Sequence, residues 1–159
     1  MVIQRRFDGS VPMKTEAHFF DGCGDLGGVF WIGSEKLHKL TLGHRHELYI
    51  QLVDLDKVVA FVRYDHFVVG DRKVYKLYKL LSLGKYSGNA GDALQRHINR
   101  DFQGDGYCGW WDINDCNLNG HYYDCKMELS EWDGIWWGHW NMGKRYSLKS
   151  CKMLIRPKP

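Results

Sequence analysis

The sequence predicts an α+β fold in which an antiparallel sheet with short helices is followed by an irregular, loop-rich C-terminal region. Three observations carry this. Short β-branched and aromatic runs, separated by tight polar connections, fill much of the first hundred residues. Only two stretches combine helical spacing with capping signals. Composition then changes near residue 104, beyond which lie six of the seven tryptophans and no hydrophobic period survives.

The strands are read at 47–53, 58–64 and 67–69, punctuated by Asp54-Leu-Asp56 and Gly70-Asp71, and connections this short favour antiparallel pairing. Residues 73–81 carry Lys73, Lys76 and Lys79 at a spacing of three, but their Val and Tyr content makes them a strand. Ser34 is placed to cap a helix over 35–40 with Leu37 and Leu40 on one face and Gly43 beyond its end. Asp92 with Gln95 resembles a capping box opening a second helix through Ile98. Residues 146–155 regain strand character and are expected to rejoin the sheet. The chain thus divides into a sheet and helix subdomain at 1–103, a loop-rich subdomain at 104–145 and a returning strand at 146–155.

With 159 residues, 44% apolar and 26% charged, the chain holds one domain's worth of core-forming material. The longest apolar run, 58–62, is five residues against about 20 for a membrane span. The net charge of +3 is dispersed without a basic block, which argues against a nucleic-acid partner. No apolar stretch with a cleavage site opens the chain, and no Asn-x-Ser/Thr site occurs. The histidines accompany no nucleophile elbow, phosphate loop or zinc-protease spacing, so no enzyme is expected.

Several strings then coincide in order: Gln4-Arg-Arg-Phe-Asp-Gly-Ser10, Phe30-Trp-Ile-Gly33 with Glu35-Lys-Leu-His38, Gly88-Asn-Ala-Gly-Asp92, Gly109-Trp-Trp111, Asn117-Leu-Asn-Gly120, Asp133-Gly-Ile135 with Trp137 and Trp140, and Tyr146-Ser-Leu-Lys149. Together, over nearly the whole chain, they resemble the fibrinogen C-terminal domain shared by ficolins, tachylectin-like lectins and angiopoietins. That resemblance implies a twisted central sheet, a binding site in the loop subdomain, and secretion from a chain whose upstream subdomain is absent here.

It also implies a disulfide between Cys108 and Cys116, a cross-link worth roughly 2–4 kcal/mol on chain-entropy grounds. Two alternatives stand beside it: separate thiols in a reducing compartment, and a zinc set of Cys108, Cys116, His121 and Cys125, whose spacing departs from the usual paired ligands. Cys23, Cys125 and Cys151 fall outside the pair and offer a route to an intermolecular bridge and a homo-oligomer, as does the absent upstream region. The family's acidic calcium loop is reduced to Asn99 and Asp101, so no tight calcium site, and no other cofactor, is expected.

The family's pocket usually follows a Cys-His pair, but here Cys116 is followed directly by Asn117. Tyr107, Trp110, Trp111 and Tyr122 remain as apolar walls, with Asp105, Asp112, Asp115 and Cys116 beside them as the expected ligand-binding set. The paired tryptophans serve equally well as the core of a loop subdomain. The expected function is lectin-like binding of acetylated glycans or microbial surface groups in innate immunity. The alternatives are an angiopoietin-like module that meets a cell-surface glycoprotein or receptor, and a degenerate paralogue without a ligand.

Overall fold

The computed structural model describes residues 1–12, 15–71, 78–100, 115–130 and 133–159. Its elements in chain order are β1 (Val2–Arg6), α1 (Glu16–Asp21), β2 (Cys23–Gly24), β3 (Phe30–Trp31), α2 (Ser34–Gly43), β4 (His46–Val53), β5 (Val59–Val69), β6 (Leu80–Ser82), β7 (Tyr86–Gly88), β8 (Cys116–Asn117), β9 (Trp136–Trp137) and β10 (Ser150–Pro157). The main sheet runs β2-β3-β1-β10-β4-β5-β6, with β7 also on β5, and every pairing is antiparallel. This is the expected α+β arrangement.

Alternation builds the centre. In β4, Leu48, Ile50 and Leu52 are fully buried while Tyr49, Gln51 and Val53 face outward, and β10 buries Cys151, Met153 and Ile155 in step. The two runs expected at 58–64 and 67–69 are one strand. A bulge lets three residues of β5 span two of β4, so Ala60, Val62 and Tyr64 point inward before it and Phe67 and Val69 after it. Asp65 and His66, which look like a break in sequence, are that bulge.

The helix at 34–43 is as expected in place but not in capping. Gly33, at φ 95, occupies the cap, and Ser34 is already helical with its hydroxyl buried and unpartnered among the described residues. Glycine is required there, because a Cβ at residue 33 would lie 2.6 Å from the Asp21 carbonyl carbon. Leu37 is buried in the core, and the Thr41 hydroxyl donates to the Leu37 carbonyl while accepting from Val69 N–H, tying α2 to β5.

The second expected helix does not form. Asp92 accepts from Leu94 N–H and Gln95 N–H, but Leu94 occupies the cap and only a 3₁₀ turn at Gln95–His97 follows before Ile98 returns to extended backbone. Of the strand expected at 73–81, residues 72–77 lie outside the described residues and β6 begins at Leu80. The returning strand starts at Ser150 rather than 146, and it enters the middle of the sheet between β1 and β4. β1, which no apolar alternation announces, carries buried Gln4 and Arg6 toward the interior. Among the described residues no helix is long and apolar enough to cross a membrane.

Candidate functional site

Downstream of residue 114 the chain forms a two-residue ladder, with Cys116 opposite Trp137 and Asn117 opposite Trp136. So short a ladder cannot hold itself, and side-chain bonds from the main sheet hold it instead. Gln4 Nε2 donates to the Leu118 carbonyl at 2.6 Å and to Asn119 Oδ1 at 3.1 Å. Asn117 Oδ1 accepts from Asn119 N–H at 3.1 Å, the local turn that Asn favours. A Cβ on Gly120 would sit 2.0 Å from the Gly134 carbonyl oxygen, so only glycine lets the two segments meet. Ile135 N–H donates to Ser147 Oγ at 3.0 Å, and Leu118, Ile135 and Leu148 enter the core. Every residue of the Asn117-Leu-Asn-Gly120 string therefore has a structural task.

A second set of bonds supports the ladder from the 88–98 segment. Trp137 Nε1 donates to the Gly91 carbonyl at 2.8 Å, and the buried His97 ring places Nε2 2.9 Å from Asp115 Oδ2. Gly138 N–H donates to the Asp115 carbonyl at 3.0 Å. Below them the Tyr64 hydroxyl donates to Asp92 Oδ1 at 2.6 Å, and burial first, then the neighbouring carboxylate, push that phenol well above its ordinary range.

The expected ligand set separates accordingly. Asp115 is paired with His97, and Cys116 is buried in the ladder. Tyr122 lines a pocket of about 100 Å³ with Arg6, Gly9, Val11, Pro12, Asn119, Gly120 and His121. Burial is the main force lowering the Arg6 guanidinium and raising the Tyr122 phenol. The Nδ2 amide of Asn119 is buried without a hydrogen-bond partner among the described residues. Sequence reasoning missed the contribution of Arg6 to this pocket, because its signal is only that of a charged residue in a strand.

Asp105, Tyr107, Trp110, Trp111 and Asp112 lie outside the described residues, as do Asp101 of the calcium pair and Cys108 of the disulfide. Asn99 adopts φ 59, is exposed, and donates its backbone N–H to the Leu80 carbonyl. No group of three metal-ligating side chains occurs among the described residues. Of the three remaining thiols, Cys125 is exposed and Cys23 half-buried. Cys151 is fully buried, and burial pushes its thiol up to about 11, so it is inert toward a second chain in the native fold.

The model of the family described as fibrinogen beta and gamma chains, C-terminal globular domain, matches residues 1–108 and 103–158. Bovine (Bos taurus) fibroleukin is 35% identical over 189 aligned positions, covering 99% of this chain and 42% of fibroleukin. Rat (Rattus norvegicus) angiopoietin-2 is 36% identical over 173 positions, covering 98% of this chain and 34% of the relative. The chain therefore spans less than half the length of these relatives. The alignments exceed its 159 residues, so the relatives carry internal segments that it lacks.

Among solved structures, the fibrinogen-like globe domain of human ANGPTL6 superposes with a TM-score of 0.86 at 34% identity, over 99% of this chain and 78% of that one. Lamprey fibrin D-dimer, complexed with the peptide Gly-His-Arg-Pro-amide, superposes at 0.80 with 28% identity, over 98% and 60% respectively. Fibroleukin and the angiopoietins are secreted, non-enzymatic binding and signalling proteins. A sheet with β10 threaded into its centre, a loop region fastened by its own motif residues, and a match running from end to end place this chain in the fibrinogen C-terminal domain family.

Proposed function

We propose that this domain is a secreted protein-recognition module of the angiopoietin and fibroleukin type, meeting a receptor or another cell-surface protein through the surface of its 104–145 region. The observation that carries the reading is the commitment of Asp115, the one described member of the three carboxylates expected to orient a sugar. Asp115 is held by His97, and the side-chain oxygens of Asn117 and Asn119 are engaged within the fold. The neighbouring pocket at Tyr122, about 100 Å³, is below the ~300 Å³ at which small-molecule sites begin, and it suits one inserted side chain. Peptide binding by the structurally similar lamprey fibrin fragment supports the same direction. The loop subdomain closed by a Cys108–Cys116 disulfide belongs to this proposal, as does oligomerisation through exposed Cys125.

A lectin reading rests on the concentration of Tyr107, Trp110 and Trp111 in one loop, since aromatic faces suit the methyl of an acetyl group or the apolar face of a sugar ring. Chromatography on N-acetylglucosamine resin, with and without calcium, separates the two. Folded protein is expected in the flow-through under both conditions. Retention released by free acetylated sugar and lost in a Trp110→Ala/Trp111→Ala variant overturns the protein-recognition reading in favour of the lectin.

A further inference from the structure

The face of the main sheet opposite the core is partly exposed, and it is cationic. Residues directly opposite in an antiparallel ladder share a face, so the register Arg5, Lys152, Gln51, Phe61 forms one outward row. The next outward row is Leu154, Tyr49, Arg63, and the third joins Arg156 to Glu47. Phe61 and Tyr49 stack at 5.7 Å on this face, Phe61 38% exposed and Tyr49 partly buried.

Glu47 is the one carboxylate in these rows. Its side chain is only 7% exposed, and three cations converge on it: Arg63 through Nε and Nη2 at 3.0 and 2.6 Å, Arg156, and Lys158 at 3.9 Å. Burial works to raise this carboxyl, but the two arginines outweigh it and hold it below the ordinary range. Glu47 thus fixes the guanidinium groups while leaving their other N–H donors outward, and Arg156 remains 72% exposed. Lys152 and Arg5 add two further charges one and two strands away, and Arg5 lies over the Phe30 ring at 5.7 Å. At the margin Asp65 is matched by Arg45 at 3.6 Å. The rows therefore carry a surplus of three positive charges, and Lys158 beside Glu47 raises it to four, against +3 for the whole chain. A groove of about 340 Å³ runs along Met1, Glu47, Tyr49, Arg63, Leu154 and Arg156.

We propose that this face binds a sulfated glycosaminoglycan chain, independently of the recognition surface in the 104–145 region. The match is one of charge and shape. A flat, rigid ladder sets its cations at fixed intervals, about 13 Å between Lys152 and Arg156 along β10, which suits a linear polymer whose charges recur along its length. Tyr49 and Phe61 offer ring faces to the apolar faces of the sugars between those charges. A secreted domain meets such polymers at cell surfaces, and electrostatic attraction speeds the encounter.

The test is heparin affinity chromatography of the chain at neutral pH with a salt gradient. The protein is expected to bind at about 0.15 M salt and elute well above it, later than from a sulfopropyl resin of equal charge density. Lys152→Gln, which removes a partly exposed cation with no ion-pair partner among the described residues, advances elution. The triple variant Arg5→Gln/Lys152→Gln/Arg156→Gln, in which Glu47 keeps Arg63, elutes roughly 0.2 M earlier or more. Lys39→Gln, the same charge change on α2 across the core, leaves elution in place. Equal shifts from Lys39→Gln and Lys152→Gln, no retention at physiological salt, or equal competition by single-stranded DNA of matched charge each overturn the proposal. Retention on desulfated, N-acetylated heparin that matches native heparin does so as well, and would point to acetyl recognition instead.

Discussion

The two halves of this domain are held by different means. In the main sheet, β4 exchanges long, nearly continuous ladders with β5 and β10, and its stability is spread over many buried aliphatic side chains. Between residue 115 and the start of β10, ladder pairing among the described residues amounts to two residue pairs, and the segment is fastened by individual bonds from Gln4, His97, Ser147 and Trp137. The first kind of construction tolerates exchange of one apolar residue for another at modest cost. The second depends on individual groups for which no substitute has the right shape.

The sharpest break in this comparison is Gly120→Ala. Its Cβ would meet a backbone oxygen rather than a movable side chain, so a loss of about 3 kcal/mol or more is expected. Hydrogen exchange should then rise over residues 115–148 while β4 and β5 stay protected. Uniform loss of protection across both regions would show that they form one cooperative unit. Next is Ile50→Ala in the fully buried centre of β4, expected to cost about 2–5 kcal/mol in chemical denaturation and to weaken protection everywhere. Gln4→Ala follows at about 1–3 kcal/mol, because it orphans the buried Leu118 carbonyl and Asn119 oxygen, and its exchange signature should match that of Gly120→Ala.

The smallest effect is pH-dependent and belongs to the sheet alone. Arg63 and Arg156 keep the Glu47 carboxyl below its ordinary 4.5 despite burial, so the stabilisation it provides is complete above about pH 4.5 and is lost as pH falls through the lower folded value. Thermal denaturation should show reduced stability on acidification through that window. Glu47→Gln should lower the neutral plateau and flatten this part of the profile, and an unchanged acid slope would remove Glu47 from the account.

What the sequence revealed follows the same division. β4 was legible because its inward residues are apolar and alternate. β1 was not, because its inward positions include Arg6 and Gln4, the latter with partners more than a hundred residues away. Asp65 and His66 suggested a strand break because a bulge shifts the alternation by one residue, and nothing local distinguishes the two. Asp92 was expected to cap a helix; its carboxylate does accept from Leu94 and Gln95 N–H, but Leu94 occupies the cap and the chain leaves after one turn, where Tyr64 holds Asp92 and Asp115 holds His97. At the site, Asp115 and Tyr122 were near each other in sequence and were expected together, yet one is bound to the 88–98 segment and the other faces β1. The cationic face was invisible for a related reason: Arg5, Arg63, Lys152 and Arg156 are scattered in sequence, and only strand register assembles them.

The position of β10 has a consequence for how this chain acquires its structure. The strand that follows every other element in sequence is the one that joins β1 to β4, so the sheet has no continuous centre until it arrives. Until then β1 with β2 and β3 is one fragment and β4 with β5 another, each presenting an unpaired edge to the crowded surroundings of synthesis. Closure over so large a sequence separation is slow by nature, because the entropy of the intervening loop is spent before the contacts are gained. The nascent domain therefore keeps two sheet edges unpaired until β10 docks, and β10 acts as the keystone that closes them.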